Sequence, residues 1–132
     1  MMANINKTFF APQLYIKNGT WDIDFYSKAF GAIELYRLTN DDGSVHVAEL
    51  LIDGAVFHLH EQTSRSNLLD PETANGTTVI IGLFVPDVDA VMARAIAAGA
   101  IETSPATSYE YGYRQGEIKD PFGHRWMIEK KI

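Results

Sequence analysis

The chain contains no cysteine, which excludes disulfides, thiolate metal centres and cysteine nucleophiles. No stretch approaches the roughly eighteen apolar residues of a membrane span, and the opening MMANINKTFF lacks the apolar run of a secretory leader, so a cytoplasmic protein without membrane association is expected. Basic residues are few and scattered, 11 Lys and Arg against 17 Asp and Glu for a net charge of -6, which leaves no electrostatic footprint for nucleic acid. Phosphate-binding loops and serine elbows are missing too. Gly112 and Gly116 lie in a strand-like run with no helix behind it to receive a phosphate, so nucleotide cofactors are not expected.

What is present is a core. At 132 residues, 46% of them hydrophobic, the chain suffices for one ordinary domain and falls short of two independent ones. Any internal duplication must therefore share its interior.

Such a duplication is visible. Gly31-Ala32-Ile33-Glu34 recurs letter for letter at Gly99-Ala100-Ile101-Glu102, an offset of 68 residues. Upstream of each copy run an apolar strand, ending Leu14-Tyr15-Ile16 or Leu83-Phe84-Val85, then a polar turn and a helical stretch. Apolar spacing predicts the first helix from Thr20 to Phe30, with Gly31 ending it. Val88, Val91, Met92, Ala95 and Ile96 predict the second, with Asp87 as its cap and Gly99 behind it. Three strands follow each helix: Ile33 to Thr39, Val45 to Ile52 and Ala55 to His60, then Ile101 to Ser108, Tyr111 to Lys119 and His124 to Lys130. Asp41-Asp42-Gly43, Asp53-Gly54 and Asp120-Pro121-Phe122-Gly123 mark turns between them. The reading is one α+β domain over residues 1–132, with module 1 at about 8–61, a polar linker or loop at 62–76 and module 2 at about 77–131.

This order, strand, helix and three strands twice over, resembles the vicinal oxygen chelate superfamily, which holds glyoxalase I, extradiol dioxygenases and the fosfomycin and bleomycin resistance proteins. The resemblance is carried by Ile23-Asp24-Phe25-Tyr26 with Phe30-Gly31, by residues Val85 to Ala90, and by Asp120 to Trp126. The last run is similar to the PhnB-like branch. The resemblance implies two βαβββ modules forming an open, barrel-like cup with helices outside, and a homodimer. Alternation along the strands then turns Leu14, Ile16, Phe57, Leu59, Ile81, Leu83, Val85, Trp126 and Ile128 toward the helices. The cup is left to Ala11, Gln13, Tyr15, Val56, His58, His60, Ile80, Gly82, Phe84, Arg125, Met127 and Glu129.

Metal-dependent members resemble one another in placing His, Gln or Glu at four strand positions. Here three of these are Ala11, Ile80 and Met127, and only His58 offers a donor. One imidazole does not hold a divalent ion, so no metal and no cofactor is expected. The alternative is a relocated set drawn from Gln13, Tyr15, His60, Glu61 and Glu129 that would take Ni, Zn, Mn or Fe. His58 and His60 share a strand face, either as relocated ligands or as polar groups lining a pocket or a dimer contact. His124 follows a turn, as a hairpin cement, a dimer contact or a base, and His46 is read as solvated. Tyr109, Tyr111 and Tyr113 alternate along one run and so share a face, as a stacking surface for a flat ligand or as cover for a sheet edge, with Arg114 or Arg125 near for charge recognition.

Three functions follow. The first is a metal-free protein binding a small organic molecule, with Gln13, Tyr15, His58, His60, Phe84, Tyr111, Tyr113, Arg125, Met127 and Glu129 as ligand pocket. The second is an enzyme: a lyase, isomerase or dioxygenase on relocated ligands, or a metal-free catalyst with His58 as general base beside Tyr15 or Glu129. The third is an interaction module acting through its homodimer surface.

Overall fold

The computed structural model describes residues 6–132; the first residues of the segment read above for a leader lie outside them. The duplication is drawn in the hydrogen bonding. Strands β1 (Gln13–Ile16), β2 (Ile33–Thr39), β3 (Val45–Ile52) and β4 (Ala55–Glu61) form one sheet in the order β1-β4-β3-β2. Strands β5 (Ile80–Phe84), β6 (Ile101–Tyr109), β7 (Tyr113–Lys119) and β8 (Arg125–Lys131) form another in the matching order β5-β8-β7-β6. In each, the first strand runs parallel to the last and the other pairs are antiparallel. The fold is α+β with two open four-stranded sheets, as the sequence implied.

Helices α1 (Phe25–Phe30) and α3 (Val88–Ala97) contact each other, and α3 lies on β6, β7 and β8. The alternation puts Leu14, Ile16, Phe57, Leu59, Trp126 and Ile128 in the core, with Ile81, Leu83 and Val85 packed against it. That core crosses the module boundary. The ring of Tyr26, fully buried, stands 5.2 Å from Phe57, and 5.8 Å from both Phe122 and Trp126. Neither sheet therefore has a private interior.

Three details depart from the sequence reading. Helix α1 begins at Phe25 rather than Thr20, because the backbone upstream is engaged elsewhere: the Thr20 carbonyl accepts from Val45 N–H, and Asp24 N–H donates to the Asp22 side chain. Trp21, counted on the helical stripe, is instead 55% exposed and donates its indole N–H to the Asp42 carbonyl. The tyrosine run is not one strand, since a turn at 110–112 folds it into a hairpin and pairs Tyr109 with Tyr113.

The 62–76 segment holds a short helix, α2 (Pro71–Ala74). The buried Asp70 caps it, accepting from Glu72 and Thr73 N–H. Asp70 N–H is in turn held by Gln62, and Pro71 is buried against Gly123. Among the described residues no helix is long and apolar enough to cross a membrane.

Candidate functional site

A cavity of about 710 Å³ is lined by residues 10–15 leading into and along β1, residues 76–82 leading into β5, parts of the linker, and His124 with Arg125. Its apolar wall includes Ala11, Leu68, Leu69, Val79 and Ile80, and its polar groups include Gln13, Tyr15, His124 and Arg125. Of the expected pocket residues it gathers Gln13, Tyr15 and Arg125. The others stand on the open sheet faces beside it, in two clusters.

The first cluster is on the β1-β4-β3 face. Pairing in register puts His58 between Gln13 on β1 and Glu49 on β3, and its Nε2 meets Glu49 Oε2 at 3.0 Å. Glu49 was not foreseen, yet the Asp53-Gly54 turn that sets Ile52 opposite Ala55 also sets Glu49 opposite His58. His60 donates from Nδ1 to the Glu61 carbonyl at 2.7 Å, and its ring lies 5.1 Å from Tyr15 and 5.2 Å from His46. His46 is paired rather than merely solvated, with Nδ1 at 2.8 Å from Glu61 Oε1. Asn18, with His46 and Asn40, holds the Glu61 carboxyl below its usual range against the opposing effect of burial. These bonds fix the orientation of the three rings and of the Glu61 carboxylate.

The second cluster is on the β5-β8-β7 face. Glu129 on β8 accepts from Gln115 Nε2 at 2.8 Å, and the Gln115 carbonyl accepts from the Tyr111 hydroxyl. The Tyr109 and Tyr111 rings stack at 5.2 Å, Tyr111 and Tyr113 stand 5.9 Å apart, and Phe84 is 6.2 Å from Tyr113. The tyrosines do share one surface, through the hairpin instead of strand alternation. Partial desolvation of the hydroxyl by its neighbours, then the Tyr109 and Glu129 charges, raises the Tyr111 hydroxyl above its ordinary pKa. Arg125 donates to Glu117 at 2.7 Å, Met127 lies between Gly82 and Glu117, and Arg114 pairs with Asp89. Gln115 escaped the sequence reading because only the β7-β8 register brings it opposite Glu129.

His124 belongs to neither cluster. Its Nε2 donates to the Tyr15 carbonyl at 2.7 Å, tying the second module to β1.

The donor set does not fit the metal of the resembling enzymes. Ala11 and Ile80 both line the cavity and carry no ligand atom, Met127 offers only a weak thioether, and His58 is left as the one donor of the four positions. Among the described residues no three His, Asp or Glu side chains are grouped to hold an ion.

The profile of the Glyoxalase/Bleomycin resistance protein/Dioxygenase superfamily matches residues 15–128. An uncharacterised protein of Mycobacterium bovis is 37% identical over 125 residues, spanning 92% of this chain and 82% of that one. The crystal structure of an Arabidopsis thaliana gene product superposes with a TM-score of 0.72 at 27% identity, covering 94% of this chain and 99% of that one. TioX from Micromonospora superposes with a TM-score of 0.70 at 24% identity, over 95% and 97% of the two chains, a likeness of fold.

Proposed function

Because the chain belongs to the glyoxalase/bleomycin resistance protein/dioxygenase superfamily, we propose that it binds a small organic molecule in the cavity and on the sheet faces beside it, without the metal of the family's enzymes. The observation that carries this reading is the cavity itself: about 710 Å³, within the range of roughly 300–1,000 Å³ of small-molecule sites. Its wall is mostly apolar with a few polar anchors, and two of the positions where a metal enzyme would place ligands are Ala11 and Ile80. Likeness of residues 120–126 supports the PhnB-like branch. The sheet edges at β2 and β6, with exposed Ile33 and Ile101 at equivalent repeat positions, support a homodimer that covers them.

Elemental analysis of the natively purified protein, followed by thermal unfolding against a library of organic molecules, tests the reading. Metal-free protein stabilised by organic ligands is the expected result, with the effect lost on filling the cavity through Ala11→Trp. Near-stoichiometric metal, lost on His58→Ala, would overturn it.

A second reading has one observation in its favour. The Glu49 carboxylate 3.0 Å from His58 Nε2 is the arrangement that orients a histidine base. Turnover of a bound ligand that is abolished by His58→Ala and reduced by Glu49→Gln would make this protein a metal-free catalyst.

A further inference from the structure

The face of the second sheet carries a carboxylate for which the chain has cleared room. Glu129 is only 8% exposed although it lies on the side of β8 opposite Trp126 and Ile128. One oxygen, Oε1, is held by Gln115, whose amide orientation is fixed in turn by the Tyr111 hydroxyl. The other, Oε2, lies over Gly82. A Cβ on residue 82 would stand 2.6 Å from it, so any side chain there would displace the carboxylate.

Three rings share this face with the carboxylate. Phe84 pairs directly with Glu129 across β5 and β8, and Tyr113 and Tyr111 continue the wall. Phe84 and Tyr111 are 57% and 63% exposed, so their faces are available. The cations on this face leave the carboxylate free: Arg125 is engaged by Glu117, and among the described residues no ion pair includes Glu129. A buried carboxylate and the negative faces of aromatic rings favour the same kind of guest.

We infer that Glu129, Phe84, Tyr111 and Tyr113 form a subsite for a positively charged planar nitrogen group, such as an aromatic amidine or a protonated ring amine. Its N–H groups meet Glu129 Oε2 and its plane lies against Phe84 and Tyr113. The inference rests on the ligand-binding reading above and gives the chemical class of that ligand. A neutral planar molecule keeps only the stacking, and an anion is repelled.

The test uses benzamidine, benzamide and benzoate on the full chain, followed by calorimetry and amide NMR spectra. Benzamidine is expected to shift Gly82, Phe84, Tyr113, Gln115 and Glu129, with benzamide about tenfold weaker or worse and benzoate not binding. Glu129→Gln, nearly isosteric, should erase the preference for benzamidine over benzamide. Gly82→Ala should abolish benzamidine binding by pushing the carboxylate aside, and the exposed Phe84→Leu should weaken it several-fold with no demand on the core. Equal binding of benzamidine and benzamide, indifference to Glu129→Gln, or shifts confined to other residues would overturn the inference. If library compounds still bind the cavity in that event, the wider reading stands; if nothing organic binds, both fall.

Discussion

The hydroxyl of Tyr26, on the first helix, donates at 2.5 Å to the buried carboxylate of Asp120, 94 residues away. The same oxygen, Oδ2, accepts from Trp126 Nε1 at 3.0 Å, while Oδ1 accepts from Phe122 and His124 N–H. One carboxylate thus organises the last turn and anchors the first module to the second. Tyr26→Phe should cost about 1–3 kcal/mol, and Asp120→Ala more because it strands several donors. Urea unfolding followed separately by Trp21 and Trp126 fluorescence should show both modules losing stability together; a shift confined to one would refute a shared core.

Alkaline pH offers an independent check on the same contact. Burial, then the Asp120 charge and hydrogen bond, raises the Tyr26 hydroxyl well above its ordinary value. The folded state therefore keeps a proton that the unfolded chain releases near pH ~10. The stabilisation is complete below that pH and is lost as pH rises toward the folded value. Tyr26→Phe should flatten the alkaline limb of a stability curve.

Acid acts on the other side through Glu61, whose carboxyl is held low chiefly by Asn18. Its contribution is present above the unfolded carboxylate value of about 4.3 and disappears as pH falls through the lower folded value. Glu61→Gln should flatten this limb in pH titrations of stability and release the His46 ring, visible as a change in its NMR resonances.

Restoring the missing donors tests the metal reading in reverse. Ala11→His, Ile80→His and Met127→Glu together, with His58 retained, should give the protein measurable affinity for nickel or zinc, and the parent is expected to bind neither. Calorimetric titration with each ion decides it, and equal affinity in both proteins would show that the native chain already owns a site.

The linker can be probed at two glycines of similar backbone. Gly54 and Gly123 have φ of +88° and +95°, but a Cβ on Gly54 would meet nothing within 4 Å, whereas one on Gly123 would lie 2.9 Å from Pro71 Cβ. Both alanine variants incur left-handed strain of about 1–2 kcal/mol. Gly123→Ala should lose more stability, and proteolysis should begin within residues 62–76.

Much of the fold was legible because its punctuation is local. The Asp-Gly turns delimit β2 and β3 to the residue, and alternation marked Leu14, Ile16, Phe57, Leu59, Trp126 and Ile128 as core. The start of α1 was not, because the bonds that delay it come from Val45 and from the Asp22 side chain competing with the helix. The tyrosine hairpin was hidden by its own composition, since Tyr109, Tyr111 and Tyr113 alternate through a turn as well as along a strand. At the site, the residue types were visible on each strand but their partners were not. Glu49 for His58 and Gln115 for Glu129 are cross-strand neighbours, decided by register.

The cavity is walled by β1 and β5, each an edge strand of its sheet, paired in parallel to a strand late in its module. Such strands close long chain loops, and the backbone groups along their free sides lack a ladder partner. Amide exchange along the free sides of these strands should therefore slow when a guest is held, so that capturing a ligand and sealing two sheet edges are one event.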